Sequence, residues 1–158
     1  MNMKIGLGYD IHRTCPGREL KLCGIVVPCE FGLEGHSDAD VVFHALSDAI
    51  LGALALPDIG TYFPDSLQET KDMDSKKILL FAKGEASKMG FKIGNIDIVI
   101  IAESPKLNVF FDSMRKNLAE ILKILPTNVG LKAKTHEQLG DIGHKQAIAA
   151  FANVLLTD

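Results

Sequence analysis

Residues 4–12 alternate with a period of two. Ile5, Leu7, Tyr9 and Ile11 point one way, and Gly6, Gly8, Asp10 and His12 point the other. This period belongs to a β-strand, here with one apolar face and one face of small residues. The small face ends in two side chains that ligate metals. Any fold for this chain must therefore present a strand whose end carries chemistry.

The rest of the pattern interleaves strands with helices. Pro16-Gly17 marks a turn, and residues 20–29 read as one strand or a hairpin with Gly24 as a bulge. Ser37 reads as the cap of a first helix, with Asp40 completing a capping box. Val41, Ala45, Leu46, Ala49, Ile50, Ala53 and Leu54 form its apolar stripe, and Pro57 stops it. A second helix is expected over 74–89, ended by Gly90. The strongest strand is 93–102, dense in β-branched residues. A third helix over 109–124 and a strand over 129–135 follow. The apolar run 147–156 fits a strand or a buried helix equally. This order predicts an α+β domain over residues 1–158, a mixed sheet with helices on one face.

At 158 residues the chain suits one domain, and 47% apolar content suits an ordinary core. A net charge of −3 and the lack of a basic run argue against nucleic acid. Cys15, Cys23 and Cys29 are odd in number and contain no Cys-x-x-Cys pair, so neither a disulfide framework nor a cysteine zinc site is expected. No run is long enough to span a bilayer, and the first residues do not resemble a signal peptide. A cytoplasmic protein with no membrane partner is the expectation.

Two imidazoles and one carboxylate can hold a divalent cation and leave a coordination position for substrate. Asp10 and His12, at i and i+2 on a strand, converge on one point, and His44 follows in the second turn of the first helix. Asp48, one turn beyond His44, is placed to accept the second N–H of a metal-bound imidazole. On spacing alone, a surface carboxylate beside partly buried imidazoles explains these residues equally well. Lys106, in Glu103-Ser104-Pro105-Lys106-Leu107, suits a phosphate or plain solvent. Thr135 and Glu137 offer a phosphate donor and a hard-cation ligand, or ordinary edge polarity. His36-Ser37, at a helix start, suits an anion. Together these groups are the equipment of phosphoryl transfer on a diphosphate.

The motifs in register resemble those of the 2-C-methyl-D-erythritol 2,4-cyclodiphosphate synthase family over essentially the whole chain. They are Gly8-Tyr9-Asp10-Ile11-His12, His36-Ser37-Asp38-Ala39-Asp40 with His44 and Asp48, Asp58-Ile59-Gly60 with Phe63-Pro64-Asp65, Pro105-Lys106, and Lys132-Ala133 through Thr135 and Glu137. The resemblance implies a homotrimer with sheets facing its centre and active sites between subunits. It also implies cyclisation of 4-diphosphocytidyl-2-C-methyl-D-erythritol 2-phosphate to the 2,4-cyclodiphosphate with release of CMP.

Site roles come from the same resemblance. Asp10, His12 and His44 are similar to zinc ligands, and Glu137 to the ligand of Mg2+ or Mn2+ bridging the phosphates. His36 and Thr135 resemble the groups that stabilise the transition state. Ser37, Asp58, Ile59 and Gly60 would contact the substrate, with Phe63, Pro64, Asp65, Ser66 and Leu67 closing over it. Ala102, Pro105, Lys106, Leu107, Ala133 and Lys134 would frame the cytidine. Two other readings remain: a metal-dependent phosphoesterase, and a non-catalytic trimeric binding module with a structural metal.

Overall fold

A computed structural model describes residues 2–64 and 72–158. Its centre is a five-stranded mixed sheet in the order β4-β1-β7-β5-β6. The strands are β1 (Met3–Pro16), β4 (Phe31–Leu33), β5 (Lys92–Ile101), β6 (Val129–Lys134) and β7 (Ala147–Thr157). The pairs are antiparallel except β5 with β6, which run parallel. The ambiguous run at 147–156 is thus a strand, and it lies between β1 and β5. Its β-helix ambiguity arises because it is apolar on both faces at one end, where Ala147, Ile148, Ala149 and Ala150 are all buried.

Residues 20–29 form a hairpin rather than one bulged strand. Strands β2 (Leu20–Leu22) and β3 (Ile25–Val27) pair across Cys23-Gly24, both at positive φ (55° and 72°). A two-residue turn with both centres left-handed matches the twist of the flanking strands.

The helices α1 (Val41–Ala53), α3 (Lys76–Lys88) and α4 (Phe111–Leu122) pack against one side of the sheet, and short turns α2 (Ile59–Tyr62) and α5 (Gly140–Gly143) sit in loops. Helix α1 is buried nearly all round, apart from Asp48 and Gly52, so its sequence stripe understated its burial. It lies directly on β1. A Cβ built on Gly8 would stand 1.9 Å from the Ala45 carbonyl oxygen, and one on Gly6 1.8 Å from that of Ala49. The small face of β1 is therefore the face toward the core, and its glycines let the helix backbone touch the strand.

The cap of α1 also differs from the expected capping box. Asp40, not Ser37, is the N-cap. Its fully buried carboxylate accepts from Val42 N and Phe43 N of the helix and from Cys23 N and Gly24 N of the hairpin turn. Burial pushes the Asp40 carboxyl up to about 6, against the pull of these backbone donors. One side chain thus fastens α1 to the β2–β3 hairpin. Because α1 begins at Val41, His44 stands in its first turn rather than its second.

The apolar face of β1 is uncovered. Ile5, Leu7, Tyr9 and Ile11 are 77%, 63%, 47% and 43% exposed, and Phe151 of β7 stacks on Tyr9 with ring centroids 4.7 Å apart. A row of large apolar side chains bare to water is uncommon on the surface of a soluble domain.

Candidate metal centre and active site

Asp10 and His12 leave the core face of β1 where α1 begins, and the close strand–helix approach brings His44 to them. His12 Nε2 lies 2.9 Å from Asp10 Oδ2, His44 Nδ1 lies 3.1 Å from the same oxygen, and the two nitrogens are 3.0 Å apart. Three donors on one small triangle are what a divalent ion of the zinc type requires, with each donor about 2 Å from the ion. The chemistry of the set, two imidazoles and a carboxylate, fits zinc. Burial alone would raise the Asp10 carboxyl, but hydrogen bonds and charge from His12 and His44 hold it well below the carboxylate range. Burial would lower His12, yet the Asp10 carboxylate beside it raises it above the ordinary imidazole value. A carboxylate pinned as the anion suits a ligand; the raised imidazole must surrender its proton to the ion.

The second nitrogen of each ring is also held. His12 Nδ1 donates to the Glu34 carbonyl at 2.7 Å. His44 Nε2 lies 3.0 Å from Ser75 Oγ and 3.2 Å from Ser37 Oγ. Asp48, expected to take an imidazole N–H, instead accepts the Ile59 N–H at 2.8 Å and ties α1 to α2.

The triad opens on a cavity of about 340 Å3 lined also by Gly35, His36, Ser37, Ile59, Gly60, Phe63, Met73 and Ile78. The Nε2 of His36 is buried there with no hydrogen-bond partner among the described residues. Asp58 caps α2, accepting from Thr61 N at 3.0 Å. Phe63 packs edge-on against Phe81 of α3, with centroids 5.2 Å apart, and Pro64 follows it. Asp65, Ser66 and Leu67 lie outside the described residues.

The remaining sequence-predicted residues gather elsewhere. Ala102, Pro105, Lys106, Leu107, Ala133, Lys134 and Thr135 line a separate cavity of about 190 Å3. Thr135 Oγ1 donates to Glu137 Oε1 at 3.2 Å. Glu103 accepts the backbone N–H of His136 and Gln138, joining the loops after β5 and β6. Asp10 pairs with Ala150, Ala150 with Ile100 and Ile100 with Ala133. Three strand spacings, about 14 Å, thus separate the two groups within one chain.

Nothing in the spacing assigns a site role to three further contributors. Ser75 is fully buried beside His44, 31 residues further along. Arg18 donates to the carbonyls of Gly35 and Ser37 and braces the cavity wall. Asp38 lies inside a quoted motif, but nothing in the spacing told its role from that of Asp40.

A mixed sheet under a single helical layer, with an Asp-His-His cluster at the mouth of a polar cleft, defines an α+β protein equipped for metal-assisted chemistry. The chain belongs to the YgbB family, whose model matches residues 3–157. It is 51% identical over 154 residues to the 2-C-methyl-D-erythritol 2,4-cyclodiphosphate synthase of Geobacter metallireducens, covering 98% of each chain. Among solved structures it is similar to the bifunctional IspDF of Campylobacter jejuni (TM-score 0.94, 39% identity), covering 98% of this chain and 42% of that one. It is also similar to the CDP complex of Plasmodium falciparum IspF, with TM-score 0.86, 39% identity, and 98% and 96% of the two chains covered.

Proposed function

We propose that the chain, as a single domain over residues 1–158, converts 4-diphosphocytidyl-2-C-methyl-D-erythritol 2-phosphate to 2-C-methyl-D-erythritol 2,4-cyclodiphosphate and CMP. The observation that carries this reading is the convergence of Asp10, His12 and His44 on one point at the mouth of a cavity of about 340 Å3. Three protein donors are the number found in catalytic zinc sites. The relatives' name and the CDP held by the Plasmodium protein support the substrate class.

Asp10, His12 and His44 would hold Zn2+, and the exposed carboxylate of Glu137 would hold Mg2+ or Mn2+ with the substrate phosphates. Bound there, the two ions supply Lewis-acid polarisation and neutralise charge on the departing phosphate. The chain's own groups position the substrate. An entering phosphate oxygen would give the buried His36 Nε2 the partner it does not have among the described residues, and Ser37 and the Ile59–Gly60 wall of the cavity would bound the methylerythritol end. The substrate's 2-phosphate oxygen forms a bond to the β-phosphorus. The bond from that phosphorus to the bridging oxygen breaks, and its electron pair leaves with CMP. No protein base is needed, because a phosphate dianion is already a nucleophile. Aligned intramolecular attack gains effective molarities of about 10⁵ M.

The separation of Lys106, Thr135 and Glu137 from the triad leads us to place their partners on a second copy. The bare face bearing Ile5, Leu7, Tyr9, Ile11 and Phe151 is the surface on which copies would meet, as a trimer with sheets inward. Three free thiols suit a reducing, cytoplasmic setting.

The test is to supply the cytidyl substrate with zinc and magnesium and to follow products by mass spectrometry. CMP and the cyclic diphosphate are expected in equal amounts. Hydrolysis of a simple phosphodiester with no cyclic product would favour the phosphoesterase reading instead. Zinc bound with no turnover of either would favour the binding module.

A further inference from the structure

The His44 ring is the only ligand of the triad whose outer nitrogen meets side chains rather than backbone. Ser75 Oγ lies 3.0 Å from His44 Nε2 and donates to Asp38 Oδ1 at 2.5 Å. Asp38 Oδ2 in turn pairs with Lys21 Nζ at 3.5 Å. The Asp38 carboxylate also accepts from Ser75 N and Asp40 N.

Proton counting gives this chain a direction. A carboxylate only accepts, so the single hydroxyl proton of Ser75 goes to Asp38. Ser75 Oγ must then accept from its other neighbours. Ser37 Oγ, 3.1 Å away, accepts from Ala39 N and supplies its own proton to Ser75. With Ser75 Oγ an acceptor, Nε2–H is the His44 tautomer that uses the 3.0 Å contact, and it turns the lone pair of Nδ1 toward Asp10 and His12.

We propose that Ser75 and Asp38 are positioning residues that fix the Nε2–H tautomer of His44 and so prepare Nδ1 as a metal ligand, with Lys21 paired to the other oxygen of Asp38. This deepens the metal reading above and rests on it. The device is a carboxylate–hydroxyl–imidazole relay running from β2, through the start of α3, to α1. It also makes the first residue before α3 part of the metal centre. Groups in this outer position alter metal affinity by about 10- to 100-fold.

Two substitutions test the relay. Ser75→Ala removes the acceptor and leaves Ser37, at 3.2 Å, as the one hydroxyl near Nε2. Asp38→Ala removes the oxygen that takes the Ser75 proton. The Ser75 hydroxyl can then turn toward His44 and place the ring proton on Nδ1, where it blocks the ion.

The first readout is the zinc dissociation constant, measured by competition with a chromophoric chelator. The second is the protonated nitrogen of His44 in metal-free, 15N-histidine-labelled protein at mildly alkaline pH. Wild type is expected to show Nε2–H. Ser75→Ala and Asp38→Ala should each bind zinc about tenfold or more weakly, Asp38→Ala should gain Nδ1–H, and Ser75→Thr should keep wild-type affinity. Failure of wild type itself to bind zinc would overturn the metal reading. Wild-type binding matched within twofold by Ser75→Ala and Asp38→Ala, with His44 still Nε2–H, would overturn the relay alone. Should either alanine variant not fold, the other and Ser75→Thr decide the matter by the same two readouts.

Discussion

Gly8→Ala should disable the metal centre without touching a ligand. The new Cβ would meet the Ala45 carbonyl oxygen at 1.9 Å and Ala49 N at 2.7 Å, both backbone atoms of α1. No side chain can rotate to relieve them. Restoring an ordinary contact of about 3.4 Å asks α1 to retreat from β1 by about 1.5 Å. Overpacking of this kind costs 1–3 kcal/mol, and with rigid walls on the helix side the upper figure, about 3 kcal/mol, applies. For a chain of this length that is a fall in Tm of about 6–12 °C. His44 precedes Ala45, so the same retreat draws its Nδ1 away from Asp10. Metal sites tolerate only a few tenths of an ångström, and zinc affinity should drop about tenfold or more. Calorimetry and chelator competition measure the two effects. The control is Gly52→Ala on the same helix, where the nearest atom to a built Cβ is Leu7 O at 3.9 Å. It should stabilise by up to about 1 kcal/mol. Wild-type zinc affinity in Gly8→Ala, or Tm shifts of the same sign in both variants, would refute the close-approach argument.

Asp40→Ala removes a helix cap and takes the partner from the buried Cys23 N–H and the exposed Gly24 N–H, for a combined cost of about 2–4 kcal/mol; a urea midpoint close to wild type would contradict this. If two copies share each site, mixing inactive His44→Ala with inactive Glu137→Ala chains should restore about a quarter of wild-type activity after subunit exchange, and a mixture as inactive as its parts would count against shared sites. In metal-free protein the raised His12 imidazole stabilises the fold fully below its ordinary value of 6.5, and this is lost as pH rises through the raised value. Tm in chelator should therefore fall from pH 6 to pH 8 by this contribution, while the increment added by zinc grows over the same range because the ion needs neutral rings. A zinc increment that shrinks with rising pH would be the contrary result. Tyr9→Glu, on the bare sheet face, should leave the monomer fold intact and lower the mass seen by sedimentation; an unchanged mass would place the association surface elsewhere.

Much of this was legible in the residues. The period of two in β1 located Asp10 and His12 on one face, and the β-branched run of β5 announced itself. What the pattern hid was depth. Apolar side chains at positions 5, 7, 9 and 11 look like core residues, yet they are the exposed ones, and the glycines between them face inward. Periodicity separates two faces without saying which one a helix will cover. The start of α1 was misplaced because Ser37 and Asp40 are both good caps by type, and the tertiary pull of the Cys23-Gly24 turn decides for Asp40. The support of His44 was missed for a different reason. A hydroxyl 31 residues away has no spacing rule to find it, and the nearer Asp48 was a reasonable but mistaken acceptor.

The pairing of β1 with β7, from Met3 against Thr157 to Arg13 against Ala147, has a consequence for biosynthesis. Of these strands, the one that bears Asp10 and His12 is made before the others, and its principal neighbour is made last. Until residues 147–157 are translated, the platform beneath α1 is missing and its ligands have no fixed geometry. Contacts this distant in sequence form late and slowly. The triangle of Asp10, His12 and His44 is therefore complete only after β7 is made, and the nascent chain must be kept from aggregating through the unshielded side chains of β1.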